Sequence, residues 1–106
     1  MAGPNDTLRF SDNEAAHRFE LHERDTLVAY SEYSVLANGL LFSHTEVLPG
    51  FEGRGIGSEI AARALAEVRR RQTTAIPVCP FIAGHLRKHP EDLDLVSPAS
   101  RRAFHV

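Results

Sequence analysis

The chain predicts a mixed α/β (α+β) domain: an antiparallel three-strand meander, then a strand–helix–strand unit, then a short C-terminal helix. Three observations carry that expectation. Short runs of alternating apolar residues are separated by two turn signals, Arg24-Asp25 and Asn38-Gly39, the second being the strongest short hairpin signal in the chain. A row of alternate glycines, Gly53, Gly55 and Gly57, opens directly into a helical stripe of Ile60, Ala61, Ala64, Leu65 and Val68. An apolar segment at Thr74–Cys79 follows that helix, and Pro80 stands where a new helix can begin.

Composition sets the outer bounds. The 106 residues suffice for one modest core and not for two. Twelve basic against fourteen acidic side chains leave a net charge of −2, so no bulk attraction draws the chain to nucleic acid or to an anionic membrane. The single cysteine cannot close an internal disulfide, which fits a reducing compartment. The first residues lack the basic start and apolar run of a signal peptide, and no apolar run nears the ~18–20 residues of a membrane helix. A cytoplasmic domain is expected, with neither nucleic acid nor membrane as a partner.

Taken in order, residues 1–15 are polar and read as a loose arm, with the domain spanning 16–96. In Arg18–Glu23 alternation puts Phe19 and Leu21 on one face of a half-buried strand. Thr26–Leu36, rich in β-branched and aromatic residues, is the second strand, and Leu40–Val47 the third. The helix is expected over Ser58–Gln72, closed by Arg69-Arg70-Arg71 at the negative end of its dipole. Three arginines in a row can meet RNA or an acidic partner, but such a run is more often a solvated helix end. The strand at Thr74–Cys79 should lie parallel to the third, through a right-handed crossover. Pro77 can give no ladder bond, so either a bulge or a splaying of the sheet is expected there. Phe81–His89 reads as the short helix, stopped by Pro90. Glu91–Val96 reads as partly helical or turn-like, and 97–106 as a tail.

The glycine segment is the strongest candidate for chemistry. Pro49-Gly50 ends the third strand, and a glycine-rich turn opening into a helix leaves backbone N–H groups free at the positive end of the dipole. A phosphate can be held there without a dedicated lysine, and Arg54 can add a charge-assisted contact. The same glycines can equally make nothing more than a tight turn. The spacing matches neither the P-loop nor the dinucleotide fingerprint.

Three segments together resemble the GNAT superfamily of N-acetyltransferases, and within it the small single-domain GNAT-like proteins. They are His44-Thr45-Glu46-Val47, Phe51–Ser58, and Pro77-Val78-Cys79-Pro80-Phe81 with Arg87-Lys88-His89-Pro90. The resemblance covers roughly Phe19 to Val96. The superfamily loop reads Gln or Arg, two residues, Gly, one residue, Gly or Ala. Here Glu52 takes the Gln/Arg position, a departure that leaves the backbone contribution of Gly55 and Gly57.

The resemblance implies a minimal GNAT-like fold that binds acetyl-CoA between two splaying parallel strands, Leu40–Val47 and Ala75–Cys79. It implies cofactor contacts at Val47, Gly53, Arg54, Gly55, Ile56, Gly57 and Ser58. Arg87 and Lys88 become candidates for a cofactor phosphate. Cys79 becomes a candidate nucleophile or general acid, although a lone cysteine also behaves as a small buried hydrophobe. His44 and Glu46, two apart on one strand, share a face and can deprotonate an incoming amine, or be ordinary hydrogen-bonded surface residues. His85 and His89 have a metal-compatible spacing, but no further ligand accompanies them, and no metal is expected.

An acetyl-CoA-dependent N-acetyltransferase acting on an exposed amine is the leading expectation. A protein lysine, a polyamine or a similar acceptor would fit, because so short a chain lacks the elements that enclose a small substrate. A non-catalytic acyl-CoA-binding module and a protein-interaction domain are the alternatives.

Overall fold

A computed structural model describes residues 7–106. Its core is a five-stranded sheet in the order β1-β2-β3-β4-β5. The strands are β1 (Leu8–Asn13), β2 (Arg18–Glu23), β3 (Thr26–Leu36), β4 (Gly39–Val47) and β5 (Ala75–Pro77), the last reached through helix α1 (Ile56–Arg70). The first three pairings are antiparallel and β4–β5 is parallel. Helices α2 (Pro80–Lys88) and α3 (Pro98–Phe104) complete the chain, with a 3-10 turn at Pro90–Leu95 between them. No helix is long and apolar enough to cross a membrane.

Strand alternation sends Phe19, Leu21, Ala29, Ser31, Tyr33, Phe42 and Thr45 to one face, and α1 lays its stripe of Ile60, Ala61, Ala64, Leu65 and Val68 against it. Each large apolar side chain buried here contributes ~1.5–3 kcal/mol. α2 joins the same face through Ile82 and Leu86. The opposite face carries Arg18, Tyr30, Glu32, His44 and Glu46, and no helix of the described residues covers it.

The structure corrects the expected ends of the chain. Positions 1–6 of the expected arm lie outside the described residues, but Leu8–Asn13 is an ordered edge strand paired residue by residue with β2. Leu8 is buried, and Asp12 ties the strand to α1 through Arg71 (2.8 Å). The expected tail at 97–106 is likewise a helix. Ser97 caps it by accepting from the Ser100 N–H (3.2 Å), Pro98 fills its first turn, and Arg101 bonds the carbonyls of Leu93 and Val96.

Helix α1 starts two residues before the expected Ser58, because Gly55 already turns the backbone left-handed (φ 74°) and accepts from the Glu59 N–H (3.0 Å). The arginine run at its far end is spent within the fold. Arg69 pairs with Asp92 and Asp94, Arg70 with Glu67, and Arg71 with both Glu67 and Asp12. The bond from Arg70, and then that from Arg71, hold the Glu67 carboxyl down at about 2. Burial, and then the hydrogen bond to Asp12, push the Tyr33 hydroxyl up to about 12.

Of the two outcomes expected at Pro77, the sheet shows the splay. β5 is three residues long and its register with β4 ends at Phe42↔Pro77. The Val78 N–H then turns back to the Ile76 carbonyl (3.0 Å), and the Cys79 N–H makes the final bond to the Phe42 carbonyl (2.8 Å). β4 runs on from Ser43 to Val47 with no strand on that side among the described residues. Proline is tolerated because β5 is the edge strand.

Candidate functional site

Three elements converge where β4 outruns β5: the glycine loop before α1, the start of α2, and β4 itself. Val47, Gly53, Gly55, Ile56, Gly57 and Ser58, all named by the sequence, line one groove of about 370 Å³. Because the first helical bond at this end is Glu59 N–H to Gly55 C=O, the N–H groups of Ile56, Gly57 and Ser58 have no carbonyl within α1 to receive them. Those donors sit at the positive end of a fifteen-residue helix. The groove therefore suits an anion.

The glycines are needed for different reasons. Gly55 supplies the left-handed turn. Gly57 lies under the ring of Phe81, and a Cβ there would overlap that ring. Phe81 is 42% exposed and forms the groove wall opposite the loop. Ile56 is itself buried, so it anchors the loop to the core as well as bordering the groove.

Two loop side chains are held by the protein. Glu52 accepts from the Gly50 N–H (2.9 Å) and so braces the preceding turn. Arg54 makes a two-pronged contact with Glu23 at the end of β2, at 3.3 and 2.5 Å. That bond to Arg54 lowers the Glu23 carboxyl and raises the Arg54 guanidinium. Arg87 is turned elsewhere: it donates to the carbonyls of His105 (2.9 Å) and Phe104 (3.3 Å), closing the end of α3. Lys88, its neighbour, lines a second concavity beside the loop.

His44 and Glu46 stand together on the uncovered face, the His44 Nε2 3.1 Å from Glu46 Oε1. Their side chains are 51% and 44% exposed, so solvent and an acceptor can both reach them. Tyr30, directly across the ladder from Glu46, donates to the same carboxylate oxygen at 3.4 Å. Burial and the charge of Glu46 raise the Tyr30 hydroxyl. Sequence reasoning missed Tyr30, because its pairing depends on a register that shifts between Glu32 and Tyr33.

Cys79 lies on the other side of β4. Its thiol, 1% exposed, donates to the Thr45 hydroxyl at 3.5 Å, which shares a 2.8 Å hydrogen bond with Ser31. The structure thus does not gather Cys79, His44 and Glu46 on one face. It sets the thiol behind β4 and the His–Glu pair in front, at the stretch of β4 that has lost its β5 neighbour. Thr45 was not singled out by the sequence, because a threonine alternating with His44 and Glu46 reads as a plain strand residue.

A family model described as GCN5-related N-acetyl-transferase matches residues 18–95, which takes in the sheet from β2 onward, the loop, α1, α2 and the 3-10 turn. A search of curated proteins returned no match.

Proposed function

Because this chain belongs to the GCN5-related N-acetyltransferase family, we propose that it binds acetyl-CoA on the glycine loop and transfers the acetyl group to an exposed amine. The observation that carries the proposal is the departure of β5 from β4 after Phe42. It leaves an opening with the anion-binding groove on one side of the sheet and a solvent-exposed His–Glu pair on the other. The groove fits the phosphate-bearing end of such a ligand: the space beside Gly53 is open, and the N–H groups of Ile56, Gly57 and Ser58 have no acceptor within α1.

Acetyl-CoA supplies an activated acyl group as a thioester. The unpaired β4 edge offers backbone groups along which its arm can lie, and backbone N–H groups that can polarise its carbonyl. Glu46 holds His44 in place, and His44 takes the proton from the arriving ammonium, leaving a free amine as nucleophile. Cys79, whose sulfur lies 3.5 Å from the Thr45 hydroxyl, can serve in its thiol form as a general acid. The thiol proton can pass to the departing CoA sulfur, the thiolate left behind takes the proton that the amine nitrogen sheds as the amide forms, and His44 gives its own proton to solvent. The burial of Cys79 and its hydrogen bond favour this role over that of an acylated nucleophile.

The uncovered sheet face suits an acceptor presented on a larger surface or a long chain, such as a protein lysine or a polyamine. Glu32 and Glu46 on that face give a cationic amine two carboxylates to approach. The test is thermal melting with acetyl-CoA, followed by product analysis with a lysine peptide, spermidine and free lysine. A ligand-dependent rise in melting temperature together with an acetylated amine is expected. No rise and no acetylated product would sink the reading, and a rise without any product would leave a binding module.

A further inference from the structure

Beside the loop groove lies a second concavity, of about 240 Å³, where Ser58, Gly84, His85, Lys88 and His89 meet. Ser58 and Phe81 border both, so the Phe81 ring is the partition between them. Two imidazoles dominate this second hollow. His85 and His89 stack with ring centroids 3.9 Å apart and planes 16° from parallel.

Their hydrogen bonds are asymmetric. His89 Nδ1 lies 2.8 Å from the His85 carbonyl, which can only accept, so that nitrogen carries a hydrogen. In the neutral ring, His89 Nε2 is then a bare lone pair. His85 is 8% exposed, and neither of its ring nitrogens has a hydrogen-bond partner among the described residues. A ligand in the hollow would thus meet a His85 ring whose nitrogens no neighbouring group occupies, stacked on His89.

We propose that this hollow is a phosphate subsite, and that filling it takes up one proton on the His85–His89 pair. Phosphate oxygens accept hydrogen bonds, and a phosphate monoester carries a charge of about −1.5 to −2 at neutral pH. A neutral His89 would meet it with a lone pair, whereas the protonated ring offers a second N–H. His85 can stay neutral and still donate from one nitrogen. The Lys88 ammonium and the Ser58 hydroxyl complete the donor set.

The surrounding charges limit the uptake to one proton. Lys88 and His89 itself disfavour a charge on His85, while Glu91 and Asp92 of the 3-10 turn favour one. Burial is the largest influence and holds the His85 ring toward its neutral form. Asp92 is already paired with Arg69 (3.2 Å), and α1 presents only Ser58 to the hollow. The proton comes from solvent and returns there when the phosphate leaves. The acyl-CoA reading enters in one respect: the phosphate would belong to the nucleotide end of the molecule in the adjoining groove.

Two measurements test the subsite separately from that reading. In the first, imidazole titrations are followed by NMR in inorganic phosphate and in chloride of equal ionic strength. A rise in the apparent pKa of His85 or His89 in phosphate, diminished in Lys88→Ala, is expected; identical titrations in the two salts would overturn the subsite. In the second, calorimetry compares CoA with dephospho-CoA at about pH 8 and about pH 6.5. One linked proton changes affinity by up to about tenfold per pH unit, so the preference for CoA should grow several-fold toward the lower pH and flatten in His89→Gln. A preference independent of pH, or unaltered in that variant, overturns the proton link. If phosphate moves the imidazoles but neither nucleotide binds, the subsite stands and the acyl-CoA reading falls.

Discussion

The two ends of α1 make opposite use of their charge. At the C-terminal end, three arginines meet four carboxylates, Glu67, Asp12, Asp92 and Asp94, and every guanidinium has a partner within the fold. At the N-terminal end the positive potential comes from the backbone, and it opens onto a groove. The sequence advertises the first end, with a run of basic residues. The second end, which has the shape of a site, shows only glycines. Side-chain charge can be consumed by neighbouring acids, whereas the N–H groups of a helix's first turn cannot be consumed by the helix itself.

The largest effect should come from filling the open end. Gly57→Val drives a side chain into the Phe81 ring and across the groove, so the acetyl-CoA-dependent rise in melting temperature should vanish. If the rise persists with the variant folded, the helix start is not the binding end and the comparison collapses. Next in size is His44→Ala, expected to slow acetyl transfer by about a hundredfold while the melting shift is kept. An equal loss of the melting shift would instead make His44 a binding residue.

The opposite end should respond in stability alone. Arg71→Ala removes contacts to Asp12 and Glu67 and the packing of its stem near Phe19 and Tyr33. A loss of about 2–3 kcal/mol is expected, read as a lower melting temperature with acetyl-CoA affinity unchanged. Glu67 sharpens the point through pH. Its folded pKa, about 2, lies below the ordinary 4.5, so the stabilisation is complete above about pH 4.5 and drains away as pH falls toward 2. Glu67→Gln should therefore flatten the acid limb of a stability–pH profile, and an unaltered limb would show that the pair adds nothing. Smallest of all should be Arg69→Ala, whose exposed, solvent-screened pairs should leave the denaturant midpoint almost unmoved.

The elements that declared themselves in the sequence did so through local physics. Asn38-Gly39 fixed a hairpin, Pro80 opened α2, and the stripe Ile60–Val68 marked the buried face of α1. The ends of the chain were misread because their order comes from distant partners. Asp12 is held by Arg71, fifty-nine residues away, and no window around position 12 contains that contact. The same limit applies to the site. The loop glycines could be named from spacing, but Phe81 over Gly57, Thr45 under Cys79 and Tyr30 beside Glu46 depend on how strands and helices stack. Arg87 is the converse case, a basic residue in the right segment whose head is occupied by the carbonyls closing α3.

The early end of β5 has a consequence for the amide protons of β4. An inner strand is ordinarily locked from both sides, yet from Ser43 to Val47 this one is bonded to β3 alone. In deuterated solvent the amides there that point away from β3 should exchange early, as at the rim of a sheet, while those of Leu40–Phe42 exchange late. A ligand arm laid along that edge would act as a surrogate strand, and the molecule would in effect finish its own sheet each time it loads.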